Sequence, residues 1–153
     1  MRAWVQKDLE NYAYQNRLHL PGFVSGNTDH FSAADALLLT SREDPYPTVA
    51  LEALEAGLPF VGYQGCTGLQ QLADKFGAMV PRGDLVLAVS ALHELIATDT
   101  EDNKRKRTNF VRTHCQLTQY CETLLAIAGV IDGKIDTNSP TSLPVNHEHD
   151  QHA

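Results

Sequence analysis

Cysteine is scarce in this chain. Cys66, Cys115 and Cys121 are an odd number and contain no Cys-x-x-Cys pair, which argues against a disulfide framework and against a zinc site and fits a reducing compartment. No run reaches the 18 or so apolar residues that span a bilayer, and the opening Met1-Arg2-Ala3-Trp4-Val5-Gln6-Lys7-Asp8 lacks the apolar stretch of a signal peptide. The reading is a cytoplasmic protein with no direct membrane insertion. Basic charge is also short: 12 Lys and Arg stand against 19 Asp and Glu, a net charge of −7. Attraction to nucleic acid is not expected of such a chain.

What is present is globular material. At 153 residues, 42% hydrophobic and 20% charged, the chain has the length of one domain and the composition to build a core. Residues 3–15 repeat Trp4, Val5, Leu9 and Tyr12 at helical spacing, the pattern of an amphipathic helix. Three short apolar runs follow, residues 18–24, 36–40 and 59–63, each bounded by Gly, Pro, Ser or Asp and each read as a strand. Residues 29–35 form a short helix or turn between them, and residues 48–56 a helix that Gly57 stops. Further helices are expected over residues 69–76, 84–97, 101–114 and 116–128, with a short last strand at 78–80. Lys104-Arg105-Lys106-Arg107 is read as a solvated helix face. The alternation of strand and helix predicts an α/β fold, a Rossmann-like parallel sheet flanked by helices. Residues 132–153 are too polar to offset their ordering entropy and are expected to be a disordered tail after a domain of residues 1–131.

The informative stretch is Thr40-Ser41-Arg42-Glu43-Asp44-Pro45-Tyr46-Pro47-Thr48-Val49-Ala50-Leu51-Glu52-Ala53-Leu54-Glu55-Ala56-Gly57-Leu58-Pro59. It leaves the carboxyl end of a strand, crosses a polar loop and enters a helix near Thr48. In an open parallel sheet ligands bind at that edge, and the free N–H groups of a helix start favour a phosphate there. Asp44 and Glu52, with seven residues between them, are placed to accept hydrogen bonds from a sugar diol rather than to touch the phosphate. A nucleotide sugar suits both features. The competing readings are a turn residue for Asp44, a helix-dipole acid for Glu52 and a helix cap for Thr48.

These residues resemble glycosyltransferase family 4, of the GT-B superfamily: an acid, seven residues, then Glu-Ala opening a helix that ends in Gly-x-Pro. Asp44 stands where the family more often has Glu. The resemblance extends to Gly22 and Asp35, to the Gly-rich loop Gln64-Gly65-Cys66-Thr67-Gly68 and to Gly77 through Asp84. It implies retaining transfer of a sugar from a nucleoside diphosphate sugar, with no cofactor and no obligatory metal. By that resemblance Asp44 is the catalytic candidate, contacting the transferred sugar, and Glu52 binds the ribose hydroxyls. Gly22, Gly65, Thr67 and Gly68 belong to the donor-binding set. Around the diphosphate, Pro45 and Pro47 have no N–H, which leaves Tyr46, Thr48 and Val49 as donors.

The resemblance also implies an acceptor-binding domain and, on an opening strand-loop, an Arg and Lys pair that neutralises the leaving diphosphate. Arg2 and Lys7 have the spacing of such a pair but lie in the predicted helix, and the match is read as chance. The chain is therefore expected to be the incomplete C-terminal half of a GT-B fold, a fragment or a subunit completed by an acceptor domain or partner chain. Alone it would be inactive, with apolar surface at Trp4, Tyr12 or Tyr120 exposed. The alternative is a non-catalytic nucleotide-sugar-binding or interaction module. His147, His149 and His152 are assigned no metal, His19 and His30 are weighed against the donor base, and Arg42 is expected to pair with Glu43 or Asp44.

Overall fold

Phe60, Val61, Gly62 and Tyr63 are all buried, as expected of a strand covered on both faces. They form β2 (Phe60–Tyr63), the centre of a three-stranded sheet in a computed structural model that describes residues 17–129. The sheet order follows the chain. β1 (Leu37–Leu38) pairs in parallel with β2, Leu37 opposite Phe60, and β3 (Gly77–Val80) pairs in parallel on the other side, Phe60 opposite Gly77.

Parallel neighbours need crossovers, and helices supply them. α1 (Thr28–Ser32) precedes β1, α2 (Thr48–Glu55) joins β1 to β2, and α3 (Gln70–Phe76) joins β2 to β3. α4 (Leu85–Ala97), α5 (Glu101–His114) and α6 (Leu117–Ile127) follow. Side chains of β2 alternate between two cores. Phe60 packs with Leu39, Ala50, Leu54, Leu69, Leu72, Ala73 and Val111, so α2, α3 and α5 contribute to one core. Val61 and Tyr63 pack with Cys66, Val80 and Ala88, which brings α4 into the other. The result is the α/β, Rossmann-like sheet between helices that the sequence predicts.

Helix α2 shows how the sequence sets its own bounds. Ala50, Ala53 and Leu54 recur at helical spacing and are buried, while Thr48, Glu52 and Glu55 stay exposed. Gly57, at φ +89°, turns the chain out of the helix in a conformation that costs other residues dearly. The Leu58 amide then donates to the Ala53 carbonyl at 2.8 Å.

Two expectations are corrected. Residues 18–24 form no strand: Leu18 and Leu20 are 45% and 43% exposed, Phe23 is 98% exposed, and Pro21 lacks the amide that a ladder requires. Among the described residues, β1 pairs only with β2. Arg107 is not on a solvated face but 5% exposed. Its guanidinium donates through Nη2 to both oxygens of Asp99 at 2.7 and 2.6 Å and through Nε to the Gly57 carbonyl at 2.7 Å. Lys104, Arg105 and Lys106 do lie at the surface, paired with Glu101 and Asp102. Asp102 is held below the usual carboxylate range by its bonds from Lys106 and Arg105, and Lys104 above the usual ammonium range by Glu101.

The helix expected over residues 3–15, the Arg2 and Lys7 spacing, the tail of residues 132–153 and its three histidines lie outside the described residues. Among the described residues, no helix is long and apolar enough to cross a membrane.

Candidate functional site

Two loops leave the carboxyl edge of the sheet side by side, one after β1 and one after β2. They are stitched together by main-chain bonds: the Asp44 amide donates to the Cys66 carbonyl at 3.0 Å, and the Gly68 amide to the Pro45 carbonyl at 2.8 Å. Gly68 is demanded by this approach, because a Cβ there would stand 2.7 Å from the Pro45 oxygen. Thr67 turns its hydroxyl inward along the chain, where it accepts from the Leu69 amide at 2.9 Å and shapes the entry to α3.

The stitching decides which amides remain for a ligand. Those of Asp44 and Gly68 are used within the loops. Thr48 and Val49 open α2, whose first N–H groups have no partner within the helix. Pro47 occupies the cap position, and no side chain closes the end. Thr48 is thus the first helical residue and not the cap. Gly65, at φ +69°, is exposed at the tip of the second loop with nothing within 4 Å of where a Cβ would stand.

The side chains divide between packing and solvent. Tyr46 packs its ring against the core that contains Leu54 and Phe60. Burial pushes its phenol above the ordinary value, with Cys115 adding to the effect, and burial likewise pushes the Cys115 thiol up. Tyr46 can therefore offer a ligand its amide, while its ring anchors the loop. Asp44 is half-buried, and its carboxylate hydrogen-bonds to no other described residue. Glu52 lies four residues after Thr48 on the same exposed face of α2.

One contact of Glu52 was not anticipated from the sequence. Asn27 Nδ2, at the start of α1, donates to Glu52 Oε2 at 3.3 Å. A lone Asn in a loop 25 residues upstream carries no pattern that would reveal this. Gly22 lies in the same upstream segment, exposed and at φ +82°, and no hydrogen bond joins it to either loop. His19 and His30 are exposed. Arg42 forms no ion pair with Glu43 or Asp44. Among the described residues, no group of three or more His, Cys, Asp and Glu could hold a metal ion.

A cleft of about 190 Å³ lies at the opposite end of the sheet, where β3 begins, lined by Asp74, Lys75, Asn103 and Lys106 among others. The Arg107–Asp99 pair also lines it. None of Gly22, Asp44, Tyr46, Thr48, Val49, Glu52, Gly65, Thr67 and Gly68 lines it.

Comparison with known proteins bears on the loop edge. The family model described as Glycosyl transferases group 1 matches residues 1–112. Among solved structures, the chain is similar to sucrose-phosphate synthase from Thermosynechococcus elongatus, with 23% sequence identity and a TM-score of 0.60. The match covers 82% of this chain and 35% of that one, so the chain spans about a third of that enzyme's length. At this identity the likeness is one of fold alone. No curated protein matches significantly.

Proposed function

The chain belongs to the group 1 glycosyltransferases, and from that premise we propose that it binds the donor, a nucleoside diphosphate sugar, for retaining transfer to an acceptor. The observation that carries this reading is the uncapped start of α2 at the carboxyl edge of the sheet, beside two loops bonded to each other. Free amides and the positive end of the helix dipole favour a diphosphate there. Glu52, one turn further along the exposed face, is assigned to the ribose hydroxyls. Asp44, with a carboxylate no described residue engages, is assigned to the transferred sugar.

In this reading the amides of Tyr46, Thr48, Val49, Gly65 and Thr67 share the charge that grows on the diphosphate as the bond to the anomeric carbon breaks. Donors fixed before the reaction stabilise such charge without reorganising. Gly68 serves indirectly, by letting the two loops close up. The acceptor hydroxyl bonds to the same carbon and its proton passes to the diphosphate oxygen, which leaves with the bonding pair. Acceptor binding falls to a second domain or partner chain, together with further cations for the leaving group, and no metal is required of this unit.

Calorimetry of the full chain with UDP, ADP and GDP tests the reading. One of them should bind weakly, and Glu52→Ala should weaken it by roughly 1–3 kcal/mol through loss of a charged hydrogen-bonding partner. Absence of binding by all three, or binding indifferent to Glu52, would remove the donor-site assignment. Binding that persists without transfer, in a full-length protein given every donor and acceptor, would favour a non-catalytic module.

A further inference from the structure

We infer that Asn27 is a positioning residue for Glu52, fixing its carboxylate so that the remaining lone pairs meet a ribose diol; this rests on the nucleotide reading above. Asn27 occupies the cap position of α1, where an asparagine usually turns its side-chain oxygen onto the amides of its own helix. It makes no such bond here. Its amide instead donates across 25 residues to Glu52 Oε2 at 3.3 Å. The Asn27 side chain therefore serves the neighbouring helix and not the one it begins.

The chemistry of the pair suits a diol. Glu52 is an exposed glutamate, a side chain that loses much rotamer freedom when a ligand fixes it. A neutral amide bonded to one oxygen restricts that freedom and leaves the charge intact, with Oε1 and a second lone pair on Oε2 free to accept two hydroxyls. A lysine or arginine in the same place would compete for the carboxylate. α1 has no buried residue, so packing of its own side chains does not hold it. The Asn27–Glu52 bond is thus a direct tie between this upstream segment and the candidate site.

The test is calorimetry of the full chain with the diphosphate that binds and with its 2′,3′-dideoxy counterpart. The wild-type chain should prefer the ribonucleotide. Asn27→Ala should lower ribonucleotide affinity about three- to tenfold, the scale of one exposed bond to a charged group, and leave the dideoxy compound unchanged. The same substitution should have no further effect in a Glu52→Ala background, and Asn27→Gln, which keeps the amide, should restore part of the preference. An Asn27→Ala chain that loses both ligands equally, or keeps its full preference while Glu52→Ala abolishes it, overturns the inference and leaves the nucleotide reading standing. A wild-type chain that binds neither compound removes that reading and this inference with it.

Discussion

The Arg107 guanidinium holds three parts of the chain at once: α5, the Asp99 turn before it and the carbonyl of Gly57 where α2 ends. Arg107→Ala would leave the half-buried Asp99 unpaired and should cost about 1–3 kcal/mol, read as a fall in the denaturation midpoint. A loss under ~1 kcal/mol would mean the pair is solvated. Sequence alone could not single out Arg107, since four consecutive cations look alike until a helix turns one of them inward. That Asp44 stands in a loop and that Thr48 and Glu52 stand on the helix after it was legible because turn and helix chemistry are local, whereas the glycines of the second loop entered only through the family resemblance. Asn27 was not legible, because its partner is distant in sequence. Tyr46 and Cys115 supply a pH signature. Both are raised by burial, so the folded state holds their protons more tightly than the unfolded chain does. Their contribution is complete below the unfolded values, about 8.5 for a thiol and about 10 for a phenol, and is lost as pH rises through the folded ones. Urea midpoints should therefore fall from roughly pH 8.5 upward, and Tyr46→Phe should flatten the upper part of that fall. An unchanged profile in Tyr46→Phe would place the phenol in water.

Elements differ in what holds them. α2 buries Ala50, Ala53 and Leu54, whereas α6 buries nothing and exposes Leu117, Tyr120, Leu124, Leu125 and Ile127. Leu54→Ala should cost about 2–5 kcal/mol, and Leu124→Ala, at 46% exposure, within about 1 kcal/mol. Comparable losses in thermal or urea unfolding would show that the face of α6 is packed in solution. The same contrast explains what the apolar patterns revealed. Residues 59–63 and 78–80 announced strands because each run is apolar, bounded by breakers and enclosed by helices that the sequence also shows. Residues 18–24 have a similar composition, yet Leu18, Leu20 and Phe23 stay exposed and the segment joins no strand among the described residues. Periodicity reports which residues are apolar, and only the tertiary fold decides whether a partner covers them. Strand β1 spans only Leu37–Leu38 of its apolar run, although the Leu39 amide still bonds to the Val61 carbonyl at 2.8 Å.

At the scale of the whole molecule, the sheet has two ends with different chemistry. Its carboxyl edge gathers Asp44, the uncapped start of α2 and the exposed Gly65 turn, while the opposite end has the cleft lined by Lys75, Asn103 and Lys106. The donor proposal puts the ligand at the first of these, where open parallel sheets commonly bind theirs. Amide-resolved NMR during titration with UDP, ADP or GDP separates the two ends in one experiment. The donor reading predicts the largest shifts at the amides of Tyr46, Thr48, Val49, Gly65 and Thr67, with Glu52 and Asn27 following when the ligand has a ribose diol. Shifts centred on Asp74, Asn103 and Lys106, or none with any of the three diphosphates, would contradict it.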